Sequence, residues 1–384
     1  MLRIGLVVPH IFLHQEILPH VIFSPGTLAL DLVEGLQAQG AEVTLFSPGP
    51  VQTSVTNITA DLSYFEQELQ GRDDTYLSLL KKHSFTFVTM ARQIQAELIA
   101  KAYTMANADE FDVIHIYTNE EELALPFAAL CRKPVVFTHH DPFNFLVKYK
   151  NNFPKYTHLN WLSMSYAQRQ GMPADTNWVA NIYHGIPETD YTFSPAPQGE
   201  YVAFLGRIIE PKGVHLAIKA VQEYNHTATH PLTLKIAGKH YSGAKDDYWQ
   251  NKILPLLDDP SISYVGFLKD PKEKQEFLGD AQALLVPSLF DEPFGMVMIE
   301  ALACGTPLVG INSGAISEVI SAKTGFVVER SSEEHMVAQL ADALKKVGTI
   351  NRQDCRREFE ERFTLTRMSR DHMVAYRQLV SDRV

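Results

Sequence analysis

Short runs of Val, Ile, Leu and Phe with no polar face recur along the chain, and they limit it to one kind of sheet. In the first half they are IGLVV at 4–8, AEVTLF at 41–46, FDVIHIY at 111–117, PVVFTHH at 134–140 and NWLSMS at 160–165. An alternating strand keeps one side in water, whereas an unbroken apolar run must be covered on both sides, as in a parallel sheet flanked by helices. The segments between them supply the helices. GTLALDLVEGLQAQG at 26–40 repeats Leu28, Leu32 and Leu36 at helical spacing and closes on Gly40, and TNEEELALPFAALC at 118–131 carries a second helical pattern. Strand alternating with helix predicts a doubly wound α/β domain.

The pattern restarts after SPAPQGE at 194–200, which reads as a linker. YVAFLG at 201–206, LTLKIAG at 232–238, SISYVGF at 261–267, ALLVPS at 283–288 and PLVGI at 307–311 read as strands, with helices from Gly213 and from about Phe294. The 384 residues, at about 150 per domain, accommodate two such domains, over residues 1–190 and 198–360. A final helical pattern at 364–384 places Met368, Met373, Tyr376 and Leu379 on one face, suited to packing back across the first domain. Open α/β sheets bind ligands beyond the carboxyl ends of their strands, so two facing domains predict a central cleft whose chemistry lies in the post-strand loops.

Composition narrows the partners. With 34 Lys+Arg against 45 Asp+Glu the formal charge is −11, which opposes broad attraction to nucleic acid or an anionic membrane. The segment 74–106 offers only Lys81, Lys82, Arg92 and Lys101 among acids, so any membrane association is expected to be peripheral. No run of 18 apolar residues occurs, and the apolar stretch of MLRIGLVVPH stops at Pro9, too short for a signal-peptide core. Cys131, Cys304 and Cys355 form no C-x-x-C pair, which suits a reducing cytoplasm.

Two segments of the second half carry chemistry. In DEPFGMVMIEALACGTPLVGINSGAISEVI, Glu292 follows a strand and Glu300 lies on the next helix, seven residues intervening. A helix opening at Phe294-Gly295-Met296 would turn free N–H groups toward an anion, and the two carboxylates would accept hydrogen bonds from hydroxyls. Ordinary surface acids on a helix would produce the same letters. In FLGRIIEPKGVHLAIKA, Gly206 and Arg207 end a strand and Lys212-Gly213 opens a helix, placing two cations on the same edge. Arginine grips phosphate bidentately and lysine adds a compact charge, although a solvated helix start would also read this way.

Together these segments resemble the family 4 glycosyltransferases of the GT-B fold. GRIIEPKG is similar to the family's G-R-x3-x-K-G donor loop, and EPFGMVMIEALACGTPLVG to its E-x7-E signature; LKIAG, YVGFL, ALLVPS and YHGIP extend the likeness, which is strongest over residues 201–330. The resemblance implies two Rossmann-like domains, the first binding acceptor and the second donor. It implies retaining transfer of a hexose from a nucleotide sugar, UDP-linked by preference and GDP-mannose next, to a hydroxyl of a small molecule or saccharide, without cofactor or metal. Arg207 and Lys212 would bind the diphosphate and favour its departure. Glu292 would hold the sugar hydroxyls and Glu300 the ribose; Phe294, Gly295 and Met296 would cover sugar and phosphate, Gly206 would line the donor loop, and Phe267 and Leu268 would meet the base.

In the first domain His140 falls where the family has its strand-end histidine, to hydrogen-bond the sugar or orient the reacting face. Adjacent His139 should point to the opposite side. The N-terminal loop departs from the family: where relatives carry a Gly-Gly turn, PHIFLHQEILPHVIFSPGTLALDL has only Gly26, so Gly26 and Thr27 at the helix start are expected to meet the donor phosphate. His10, His14 and His20 in that loop read as a polar loop rather than a metal site, and His184 takes a place usually held by Asn. A dehydrogenase would need G-x-G-x-x-G after the first strand, where Pro9-His10-Ile11 stands. The remaining alternatives are a sugar-nucleotide epimerase and a catalytically silent scaffold on the same fold.

Overall fold

The apolar runs form two sheets whose strands pair in parallel throughout. The first contains β1 (Arg3–Val7), β2 (Glu42–Ser47), β3 (Thr56–Thr59), β4 (Val113–Tyr117), β5 (Val135–Thr138), β6 (Asn160–Ser163) and β7 (Trp178–Asn181), ordered β3-β2-β1-β4-β5-β6-β7. The second contains β8 (Tyr201–Leu205), β9 (Thr233–Ala237), β10 (Ile262–Gly266), β11 (Ala283–Val286), β12 (Leu308–Ile311) and β13 (Gly325–Val328), ordered β10-β9-β8-β11-β12-β13. The computed structural model describes residues 1–117, 121–240 and 246–382.

Three strands have no counterpart among the apolar runs: β3, β7 and β13. Each is the edge of its sheet and only partly buried along its length; Thr56–Thr59 is mostly polar, while Trp178–Asn181 and Gly325–Val328 each offer only three apolar side chains in a row. The helical pattern at 118–131 resolves, over its described residues, into the 3-10 turns Glu121–Leu123 and Leu125–Leu130. Pro126 stands in the first turn of the second and cannot donate an α-helical hydrogen bond. Residues 118–120 of that expectation lie outside the described residues.

The chain divides into two units. The first holds Met1–Met164, Arg169–Tyr183 and the C-terminal segment from Leu365; the second holds Ser165–Gln168 and His184–Thr364. The division falls at Tyr183, ahead of the 194–200 linker read from sequence, because residues 184–194 are tied to the second unit. Ile186 N–H donates to Phe363 O at 3.0 Å, Ser194 N–H to Cys304 O at 3.0 Å, and Arg352 Nε to Ser194 O at 2.7 Å. Each sheet carries its own apolar cluster, with Ile114, Phe137 and Trp161 in the first and Val202, Leu285 and Val309 in the second.

The helix Ser24–Ala38 ends with Gly40 at φ +83°, as the sequence suggested. Against it lies the C-terminal helix Leu365–Ser381, with Met368, Met373, Tyr376 and Leu379 all buried. Gly35 makes the crossing possible, since a Cβ there would stand 2.0 Å from Ser369 Oγ. The last residues of the 364–384 expectation, 383–384, lie outside the described residues.

Candidate active site

The order of the second sheet reverses between β8 and β11, the switch point at which a doubly wound sheet opens a ligand crevice. These strands pair only through Val202 with Ala283 and Ala203 with Leu284, so they part before either ends. The loops leaving them carry Gly206, Arg207 and Lys212 on one side and Glu292 to Met296 on the other.

Glycines set this geometry. Lys212 closes the 3-10 turn Glu210–Lys212, and Gly213 follows at φ +69°, so near β11 that a Cβ would meet Pro287 O at 2.0 Å. Pressed there, Lys212 donates from Nζ to Glu292 Oε1, which also accepts from Ser288 Oγ at 2.7 Å. Gly314, at φ +59°, lies beneath the Glu292 backbone, and Ala315 N–H donates to Glu292 O at 2.8 Å. Glu292 is only 6% exposed, so it is no ordinary surface acid. Burying a carboxylate without such partners is costly.

Arg207 differs. It is exposed, and its side chain has no hydrogen bond or ion pair among the described residues. An unengaged guanidinium suits an incoming anion, as does the uncapped start of a helix. The helix Met296–Ala303 begins two residues later than expected from sequence, with Gly295 as its N-cap at φ +94° and no side chain satisfying its first N–H groups. Phe294 is buried, its ring 5.1 Å from that of His184.

Glu300, in the same helix, is 8% exposed. Oε1 accepts from Lys274 Nζ at 2.6 Å, and Oε2 is buried beside the Tyr191 phenol. Next to β9, the loop beyond β10 presents exposed Phe267, with Lys239 Nζ 4.2 Å from its ring centroid, and half-buried Leu268. Gly206 N–H donates to Ala237 O at 3.1 Å, and a Cβ on Gly238 would stand 1.7 Å from Gly206 O. Ser288, Lys274 and Lys239 went unnoticed in the sequence. Ser288 closes the ALLVPS run and could have been noticed there, whereas KEKQE around Lys274 reads as solvated charge.

In the first unit β5 ends at Thr138, leaving both histidines in the loop beyond it. His139 enters an aromatic cluster, 5.0 Å from Phe143, 4.6 Å from Tyr149 and 4.8 Å from Phe153 by ring centroids, and burial lowers its pKa to about 4. His140 lies instead against Tyr117, ring centroids 4.4 Å apart. Gly26 and Thr27 fall inside the first turn of Ser24–Ala38, which starts earlier than the sequence suggested because Pro25 suits the opening turn. Their N–H groups already donate to Phe23 O, at 3.1 and 3.4 Å, so the free donors expected of them are committed. Among the described residues no group of three His, Cys, Asp or Glu is placed to share a metal ion, and no helix is long and apolar enough to cross a membrane.

The fold defines a tandem Rossmann-like protein whose second unit gathers Arg207, Lys212, Glu292 and Glu300 in the loops and helix beyond the switch point of its sheet. Residues 192–362 match the family described as glycosyl transferases group 1, and residues 26–190 match glycosyltransferase family 4. The chain belongs to the family 4 glycosyltransferases. It is similar to a glycogen synthase of Mycobacterium tuberculosis, 36% identical over 174 residues, which are 44% of this chain and 39% of that protein. The chain thus spans less than half the length of the curated relatives it resembles at 30% identity or more. In fold it is similar to sucrose-phosphate synthase of Thermosynechococcus elongatus, with TM-score 0.71, 16% identity and full coverage of both chains. It is likewise similar to the Anabaena protein HepE in complex with UDP-glucose, with TM-score 0.67, 15% identity and full coverage of both.

Proposed function

We propose that the protein moves a hexose, with retention of configuration, from a nucleoside-diphosphate sugar to a hydroxyl of a small molecule or saccharide. The observation that carries this is the Lys212–Glu292 pair joining the loops that leave β8 and β11, with the exposed Arg207 in the first loop and an uncapped helix end after the second. As the bond to the sugar breaks, charge grows on the leaving diphosphate; Arg207, Lys212 and the N–H groups at Gly295 and Met296 are preorganised donors for it. This assigns to protein groups the neutralisation that a divalent metal could otherwise supply. Glu292, gripped by Lys212 and Ser288, is a fixed acceptor for the sugar hydroxyls. Glu300 is a second acceptor, for the ribose.

His140, Phe267 and Leu268 stand as the sugar-side and base-side contacts of this proposal. The UDP-glucose complex of HepE supports uridine as the base of this proposal, with guanosine the second candidate. Three free, buried cysteines suit a reducing compartment, and the proposal sets the protein in the cytoplasm.

Thermal unfolding with UDP, GDP and ADP tests the reading. A nucleotide at 100 times its Kd stabilises the fold by about 2.7 kcal/mol. One of the three is expected to raise the Tm of the wild type, in EDTA as well as without it, and to lose that effect in Arg207→Ala. No shift with any of them would overturn the donor site. Release of the bound nucleotide from its hexose conjugate, coupled to a screen of hydroxyl acceptors, then identifies the substrates.

A further inference from the structure

The first sheet has its own switch point, between β1 and β4, where the strand order turns back. Ligand crevices of open α/β sheets lie beyond the carboxyl ends of such strands. The corresponding loops of the second unit carry the charges of Arg207, Lys212 and Glu292, whereas here the exposed side chains are apolar. Phe145 and Leu146 end the loop that leaves β5 with His139 and His140, and Val147 opens the short helix Val147–Asn152; the three are 53%, 38% and 77% exposed. Beyond β1, Ile22 is 49% exposed, and the next residue, Phe23, lies against His10 with ring centroids 4.4 Å apart. Burial first, and then the Lys148 charge, lower the His10 pKa to about 4, so the two loops stand within electrostatic range of one another.

A single exposed apolar residue is ordinary, but a consecutive run at the ligand edge of a sheet marks a binding surface. Its chemistry selects the occupant. A saccharide carries a hydroxyl on nearly every carbon, and a hydroxyl pressed against an aliphatic side chain loses water without finding a partner. A hydrocarbon body has no such penalty and is favoured by burial. Ile22, Leu146 and Val147 also lack the ring faces on which a sugar could stack. Lys148 is paired with Glu122 and the whole chain has a formal charge of −11, which disfavours an anionic membrane as the covering partner.

We propose that the acceptor is an amphiphilic alcohol, its hydroxyl received beside His140 and its hydrocarbon body lying against Ile22, Leu146 and Val147. This rests on the transferase reading above and narrows its acceptor from small molecules and saccharides in general to hydroxyl compounds that carry an alkyl body.

Calorimetry of the nucleotide-bound protein with n-alkyl β-glucosides from methyl to octyl, each below its micelle concentration, tests this. Affinity is expected to rise with chain length, by up to about fourfold for each methylene that reaches the patch and by about tenfold or more from methyl to octyl. The double variant Leu146→Asn/Val147→Asn, at two exposed positions that the core does not need, should flatten the series to below about threefold. Leu130→Asn, at an exposed leucine outside these loops, should leave the series as steep as in wild type. The rise in Tm with nucleotide should be that of wild type in both. Equal affinity across the series overturns the proposal, and so does a series as steep in the double variant as in wild type. Cosedimentation of wild type with phosphatidylglycerol vesicles, abolished in the double variant, would overturn it in favour of a membrane on this surface. A wild type that no nucleotide stabilises would overturn the transferase reading, and the acceptor role with it, whatever the alkyl series shows.

Discussion

Burial separates the residues in this crevice from surface charge. Glu292 and Glu300 are buried and each is met by a lysine, whereas Arg207 is exposed with no partner among the described residues. Solvated pairs contribute little, but breaking a buried one leaves a charge uncompensated, so Lys212 and Lys274 are not interchangeable with other polar residues. Ser288 belongs with them through its 2.7 Å hydrogen bond to Glu292. Removing a hydrogen bond to a charged group costs about 1.5–3 kcal/mol, so Ser288→Ala should lower kcat/KM for transfer about tenfold or more. Circular dichroism should remain that of the wild type, and an unchanged kcat/KM would remove Ser288 from the site. The motif residues were legible because their spacing survives in the letters. Lys274 was not, because inward and outward lysines on a short helix look alike until the neighbouring element is in place.

Helices and strands meet closely here only where side chains are missing. Gly213 lets the Lys212 turn reach the end of β11, and Gly35 lets the C-terminal helix cross Ser24–Ala38. Overpacking such a contact costs about 1–3 kcal/mol. Gly35→Val is therefore expected to lower the Tm and to make the chain near Leu365 sensitive to protease. In the milder Gly35→Ala, the change Ser369→Ala should recover part of the loss by removing the Oγ that the new methyl would strike. No recovery would place the strain elsewhere. Interior strands were readable from their apolar runs, while the edge strands β3, β7 and β13 were not, because β3 is mostly polar and the apolar stretches of β7 and β13 are too short to tell from a buried turn or helix segment.

Across the molecule, buried neutral histidines couple stability to pH. Burial lowers His139 and His372 from 6.5 to about 4. Above pH 6.5 both are neutral, folded or unfolded, and contribute no pH dependence. As pH falls below 6.5 the unfolded chain takes up their protons and the folded one does not, so stability declines, by about 2 kcal/mol per group at pH 5 and about 3 below pH 4. Urea midpoints at pH 7 and pH 5 should show the fall, and His139→Phe, which keeps the ring volume, should reduce it. An equal slope in the variant would contradict the neutral assignment. What the sequence determined by itself was local: two-sided apolar runs dictate parallel strands, and the spacing of Arg207, Lys212, Glu292 and Glu300 survives in the chain because each lies within one strand, turn and helix. The tertiary structure alone decided where residues 184–194 belong, that the N–H groups of Gly26 and Thr27 are committed, that His139 faces an aromatic cluster, and that Lys274 holds Glu300. Each of these depends on contacts between residues far apart in sequence, and burial, which sets the energy of a charge or a donor, does not exist until those contacts form.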